Sequence, residues 1–280
     1  MTRRIEAHLL PRHVSPEQLR GGVAVVIDVL RATTTIVHAL AAGCTAVIPV
    51  LEVEEARRLK SAEANGKVLL GGERGGKAPE GFDLGNSPWE YTPQRCRGRQ
   101  LILTTTNGTR AIHAALPAER ILLAAFVNFT AVAEQLLKET RPIHLMCAGT
   151  DDDVTLEDAL LAGALVEVLC EGTCQPPPRL ATHRRTKTRE VLLNDSARLV
   201  WDCFEHHGMV LEETLRLSQG GANLVRIGHD RDIQAAARVD QFALVPEVLR
   251  DPLRIEVGAV GMVHPRWPIS RGSSHLQPGL

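Results

Sequence analysis

The sequence predicts an α/β fold built on a largely parallel or mixed sheet. Short, β-branched apolar runs recur through the first 150 residues. Stretches with helical periodicity separate them, and after about residue 150 the pattern becomes mainly helical. Strands alternating with helices at this spacing form parallel pairs through helical crossovers.

The first strand is Val23-Ala24-Val25-Val26-Ile27, a continuous apolar run expected of a strand covered on both faces. A helix over 32–42 follows and stops at Gly43. Ala46–Val50 is a strand, 52–64 an amphipathic helix ending near Asn65-Gly66, and Val68-Leu69-Leu70 a third strand. Leu101–Leu103, Ile121–Leu123 and Ile143–Met146 repeat the theme with helices between them. Residues 155–171 form one long Ala- and Leu-rich helix, broken by Gln175-Pro176-Pro177-Pro178. Helices are then predicted over 195–207, 210–218 and 231–241, with Gly220-Gly221 as punctuation between the last two. A short strand is expected at Phe242–Val245. This divides the chain into an α/β lobe (1–174), a smaller helical lobe packed on it (175–260) and a poorly ordered tail (261–280) carrying Pro265, Pro268 and Pro278.

Composition narrows the function. The 280 residues carry a formal net charge of −1, with 44 % hydrophobic and 23 % charged residues, as in ordinary globular chains. That excludes a disordered chain and an overall-basic nucleic-acid binder. Aromatics are 3 %, too few for a base-stacking platform. The basic run His183–Arg189 reads as a solvated loop, so no nucleic-acid partner is expected. Arg supplies 27 of the 32 basic residues, and Arg grips anions bidentately. There is no secretory-type apolar run and no uncharged apolar run near the ~18 residues of a membrane span. The six cysteines form no CxxC pair. A cytoplasmic protein without a membrane partner is expected, and a homo-oligomer is left open.

Ligands of parallel α/β sheets bind outside the carboxyl ends of the strands, so the chemistry is sought there. After the first strand comes Asp28-Val29-Leu30-Arg31-Ala32-Thr33-Thr34-Thr35. Leu30 excludes the Asp-x-Asp of haloacid-dehalogenase-type phosphatases. After the third come Gly71-Gly72-Glu73-Arg74-Gly75-Gly76-Lys77 and Gly85-Asn86-Ser87-Pro88, glycine-rich enough for close backbone approach to a ligand. The next strand ends in Thr104-Thr105-Thr106-Asn107-Gly108-Thr109-Arg110, a polar turn without the GxxxxGK[ST] of a Walker loop. The strand at 143–147 ends in Ala148-Gly149-Thr150-Asp151-Asp152-Asp153-Val154-Thr155-Leu156-Glu157-Asp158, a carboxylate cluster suited to Mg²⁺. Arginines and a divalent ion together clamp phosphoryl oxygens. The residues therefore point to a Mg²⁺-dependent enzyme acting on a small anionic phosphate ester.

These blocks, continued by Gly221-Ala222-Asn223-Leu224, Gly228-His229-Asp230-Arg231-Asp232-Ile233, Asp240 and Val245-Pro246, resemble the 2-phosphosulfolactate phosphatase family over roughly residues 5–250. The resemblance implies a three-layer α/β/α architecture particular to that family. It also implies Mg²⁺-dependent hydrolysis of 2-phospho-3-sulfolactate to 3-sulfolactate and phosphate, a step associated with coenzyme M biosynthesis. Glu73, Glu157 and Asp158 are the expected metal ligands. Asp28, Arg31, Glu73, Arg74 and Asn107 are the expected catalytic group, with Asp28 as base, metal ligand or nucleophile. Thr33, Thr34, Lys77, Asn86, Ser87, Thr105, Thr106, Gly108, Thr109, Arg110 and Asn223 are expected to bind substrate. The chain departs from the family where a Gly is expected near Asp152. A different phosphorylated hydroxy acid as substrate, or a non-catalytic anion binder, are the alternatives.

Overall fold

The structure, a computed structural model, describes residues 3–63, 66–174 and 191–258. In chain order its elements are β1 (Arg3–His8), α1 (Pro16–Leu19), β2 (Val23–Ile27), α2 (Ala32–Ala41), β3 (Ala46–Pro49), α3 (Val53–Ala62), β4 (Val68–Gly72), α4 (Pro93–Cys96), β5 (Gln100–Thr104), α5 (Gly108–Ala114), β6 (Arg120–Ala124), α6 (Phe129–Lys138), β7 (Ile143–Cys147), α7 (Leu156–Glu171), β8 (Val191–Leu193), α8 (Asp195–His207), α9 (Leu211–Leu217), α10 (Gln219–Arg226), α11 (Asp230–Ala236), β9 (Pro246–Arg250) and β10 (Leu253–Val257). The predicted tail at 261–280 and the basic run 183–189 lie outside the described residues.

All ten strands join one sheet in the order β4-β5-β3-β10-β9-β6-β2-β7-β1-β8. It is mixed. β6-β2-β7-β1-β8 is a parallel block and β3-β5-β4 another, while the β9–β10 hairpin joins them through antiparallel pairings at both ends. Three antiparallel junctions reverse the second block relative to the first. The expected single row of strand-end loops along one parallel edge is therefore corrected to loops from two opposed blocks.

Packing brings those loops together. α2 and α5 lie between the blocks. Ile36, Ala39 and Leu40 of α2 and Ile112 of α5 share a core with Val26 and Leu123 on one side and Leu69, Leu101 and Leu103 on the other. The far face of the larger block, through Val25, Ile27 and Leu145, packs on α6, α7 and α8. α3 covers the far face of the smaller block, with Ala56 against Val68, Leu70 and Ile102. Helices thus cover both faces of each block, the α/β/α layering expected.

The central strand β2 is buried at every residue because β6 and β7 flank it and helices cover both faces. α7 is flanked by Thr155 at its N-cap and by Gly172 at its C-cap, whose φ of +75° gives a left-handed helix stop. Leu215, Leu224 and Ile233 from α9, α10 and α11 enter the same core as Val25. No helix among the described residues is long and apolar enough to cross a membrane.

Two predicted features are corrected. Phe242–Val245 is not a strand: Phe242 N–H donates to Val127 O at 2.8 Å, off the ladder, and the strand begins at Pro246. Gly220-Gly221 is not punctuation but lies inside α10. A Cβ on Gly220 would overlap Glu157 Oε1, and one on Gly221 would overlap Leu215 O. The pair lets a helix press against a buried carboxylate.

Candidate active site

The loops after β2, β4, β5 and β7 meet with α10 around a cleft of about 210 Å³. That is below the ~300–1,000 Å³ of pockets for drug-sized ligands and suits a small molecule. Asp28, Arg31, Glu73, Asn86, Thr105, Thr106, Asn107 and Asn223 line it, as do Thr150, Asp151, Gly220 and Arg226.

Asp28, at the end of β2, is 7 % exposed. Its Oδ1 accepts from Ala32 N–H at 3.0 Å, and Thr33 brackets its backbone by accepting from Asp28 N–H and donating to Asp28 O. Oδ2 remains toward the start of α5, where a Cβ on Gly108 would lie 2.6 Å from it. Burial, reinforced by the negative charges of Glu73 and Glu157, raises the Asp28 pKa to about 7 despite the Ala32 hydrogen bond and nearby Arg31.

Asp158 ties two loops together, accepting from Val29 N–H at 2.8 Å and Gly149 N–H at 3.1 Å. Burial, then the charges of Asp28 and Glu157, still push its pKa well up. Burial likewise raises that of Glu157, opposed by hydrogen bonds from Ser218 and Gly220. Glu157 Oε2 is buried and has no partner among the described residues. An unpartnered buried carboxylate oxygen among three other acids is costly unless a proton or a cation joins it.

Glu73 is placed differently. Its Oε1 accepts from Thr106 N–H and its Oε2 from Gly76 N–H, both at 2.8 Å. Arg31 is buried, follows a cis Leu30–Arg31 peptide, and donates Nη1 to Asp232 Oδ2 at 2.7 Å and Nη2 to Gly76 O at 3.1 Å. Asp232 Oδ1 accepts from Ser87 Oγ at 2.6 Å. Asn86 lines the cleft with its Oδ1 buried and unpartnered, its backbone carbonyl held by Thr35 Oγ1.

Other sequence-singled residues stand elsewhere. Thr34 donates to Val29 O and Thr109 to Thr105 O, closing the first turns of α2 and α5. Thr33 and Thr34 are fully buried, so their hydroxyls are absent from the cleft wall. The Arg74 guanidinium donates to Glu73 O, Leu51 O and Thr104 Oγ1, outside the cleft. Lys77 and Arg110 are exposed and do not line it. The acidic run divides: Asp151–Asp153 form an exposed turn, while Glu157 and Asp158 are buried. Asp151 and Asp152 have φ of +51° and +66°, the left-handed region where Gly sits without strain, which accounts for the Gly expected there.

Sequence reasoning gave no role to Arg226 or Asp232. Arg226 lies on the cleft face of α10 and donates to Asn223 Oδ1 at 2.9 Å. Asp232 sits in the Gly228–Ile233 block already noted, the signal that could have found it. Asp240 of the same resemblance caps α6 instead, accepting from Thr130 N–H at 2.7 Å and Thr130 Oγ1 at 2.6 Å.

Comparison with known proteins gives the family. Residues 8–251 match the family described as 2-phosphosulpholactate phosphatase. A protein of Symbiobacterium thermophilum named probable 2-phosphosulfolactate phosphatase is 40 % identical over 230 residues, covering 82 % of this chain and 92 % of its own. Proteins of the same name from Thermotoga petrophila and Synechococcus sp. are 41 % identical over 235 residues and 39 % over 234, covering 84 % and 82 % of this chain and 92 % and 91 % of theirs.

Proposed function

Because the chain belongs to the 2-phosphosulfolactate phosphatase family, we propose that it is a Mg²⁺-dependent phosphoric monoester hydrolase converting 2-phospho-3-sulfolactate to 3-sulfolactate and phosphate. The observation that carries this reading is the buried acid group around Asp28, with its unpartnered Glu157 oxygen, beside a small cleft bearing Arg226.

Those acids are hard oxygen donors of the kind Mg²⁺ takes. Glu157 would hold the ion through its unpartnered oxygen, with Glu73 and Asp158 using the lone pairs their backbone donors leave free. When bound, Mg²⁺ polarises phosphoryl oxygens and offsets the charge of the acid cluster. Asp28 serves as base. Its Oδ1 is fixed by Ala32 N–H and its Oδ2 takes the proton of the attacking water. Its raised proton affinity suits that transfer near neutral pH. Water oxygen bonds to phosphorus as the bond to the lactate oxygen breaks; that oxygen takes a proton from solvent and leaves as the hydroxyl of 3-sulfolactate, and Asp28 returns the water's proton to solvent.

Arg226 and the amides of Asn86, Asn107 and Asn223 hold the substrate's anionic groups. Arg31 stiffens the wall, since Asp232 and Gly76 fix its guanidinium. Its charge still reaches Asp28. A cytoplasmic setting fits six cysteines that carry no disulfide.

Phosphate release from 2-phospho-3-sulfolactate and from a panel of other phosphorylated hydroxy acids tests the reading, with Mg²⁺ and with EDTA. Release from 2-phospho-3-sulfolactate with Mg²⁺ only is expected. Faster turnover of a different ester would reassign the substrate, and release undiminished by EDTA would remove the metal.

A further inference from the structure

We propose that Glu6, His8 and His144 form a second metal site, separate from the cleft, that takes Zn²⁺ or a similar nitrogen-seeking divalent ion. β1 and β7 are parallel neighbours with Glu6 opposite His144. Strand periodicity puts Glu6 and His8 on one face of β1, away from the core that Ile5 and Ala7 enter. None of the three lines the cleft.

The three candidate donor atoms form a compact triangle. His8 Nε2 is 3.1 Å from His144 Nδ1, Glu6 Oε2 is 3.5 Å from His144 Nδ1, and Glu6 Oε2 is 3.8 Å from His8 Nε2. A point equidistant from all three in their plane lies about 2.0 Å from each, the length of a Zn–N or Zn–O bond. Hydrogen bonding accounts for the 3.1 Å His8–His144 contact but less well for the carboxylate oxygen, which at 3.5 and 3.8 Å from the two rings is outside the usual ~2.7–3.2 Å of an N–H···O bond.

The surroundings favour ligation. Both rings are buried, and the His8 Nε2···His144 Nδ1 contact is a hydrogen bond whose donor depends on the tautomer; ligation of one ion by both atoms would put the ring protons on His8 Nδ1 and His144 Nε2. The second carboxylate oxygen, Glu6 Oε1, faces Arg4 Nε at 3.6 Å, which orients the carboxylate. Glu6 is only partly buried and leaves an entry path, with water available as fourth ligand. Two imidazoles and one carboxylate select Zn²⁺ or Co²⁺ over Mg²⁺, the reverse of the all-oxygen cleft. An ion here would pin β1 to β7, whose carboxyl end feeds the Gly149–Asp158 loop.

The test uses the full chain, stripped with EDTA and titrated with Co²⁺ in excess Mg²⁺ so that the carboxylate cleft is filled. An intense visible band of nitrogen-ligated, tetrahedral Co²⁺ is expected, abolished by one equivalent of Zn²⁺. H8A should lose the band and weaken Zn²⁺ binding by more than the roughly 10–100-fold that loss of an outer-shell partner costs. E6Q keeps the shape at a partly exposed position and should shift the band and weaken binding, so the answer survives misfolding of H8A. No band in the parent chain, or E6Q titrating like the parent, overturns the proposal and leaves a hydrogen-bonded histidine pair.

Discussion

The two walls of the cleft treat their carboxylates in opposite ways. On the β4–β5 wall, Glu73 is answered by two backbone N–H groups, and its neighbour Arg74, turned out of the cleft, by two carbonyls and a hydroxyl. That wall is complete as folded. On the β2–β7 side, burial raises the proton affinity of Asp28, which lines the cleft, and of Glu157 and Asp158 on α7, which do not, and one oxygen of Glu157 has no partner among the described residues. That wall is completed by protons or by a cation. The base and the open electrostatics belong to one side, while Glu73 on the other brings a carboxylate that backbone N–H groups have already positioned.

The comparison breaks first at Asp28. D28N keeps the Ala32 hydrogen bond and the packing but removes the base. Turnover with Mg²⁺ should fall about 10²–10⁴-fold, the usual weight of general-base catalysis. R74A on the closed wall should leave kcat within a few fold and reduce mainly stability. Steady-state phosphate release for the two variants decides it, and an equal loss in both would erase the distinction between walls.

Arg31 and Asp232 are the next test, because they cross from one wall to α11. Both are nearly fully buried and 2.7 Å apart. D232A strands a buried guanidinium and should lower the unfolding free energy by about 3–5 kcal/mol. The R31M/D232L double replacement should recover most of that stability in a denaturant titration while KM stays high. Recovery of both would make the pair purely structural.

The sequence showed the fold where a segment's burial is uniform or simply periodic. The helix expected over 195–207 is α8, and α7 starts within one residue of its predicted start. β1 escaped because its charged residues mask an alternation of only two apolar positions, Ile5 and Ala7. That same alternation places Glu6 beside His8. Residue type also failed to report where a long side chain turns. Arg74 and Arg31 look alike as strand-end arginines, yet carbonyls draw one out of the cleft and a buried aspartate 201 positions later holds the other in its wall. Contacts of that sequence separation have no local signature. The double glycine was visible, but its cause, the Glu157 carboxylate, lies on another helix.

The smallest expected effect is on stability against pH, and it separates the walls without any substrate. Asp28 is ordinarily near 3.8 and is raised to about 7 on folding, with Glu157 and Asp158 shifted in the same direction. The folded chain therefore binds more protons than the unfolded chain between those values. The stability these groups contribute is fully present below about pH 3.8 and is lost as pH rises through 7. In EDTA, Tm should decline from pH 6 to pH 8 in the parent chain and decline less in D28N, where one of the titrating groups is gone. For a chain of this size about 1 kcal/mol moves Tm by roughly 2–4 °C, so the difference is within reach of scanning calorimetry. Mg²⁺ should reverse the slope, because it replaces the protons that the acids release, and its stabilising shift should grow with pH. The Glu73 charge adds to the rise at Asp28 without being its main cause, so E73Q should flatten the EDTA slope, but less than D28N does. An E73Q slope flattened as much as that of D28N would place the open electrostatics on both walls.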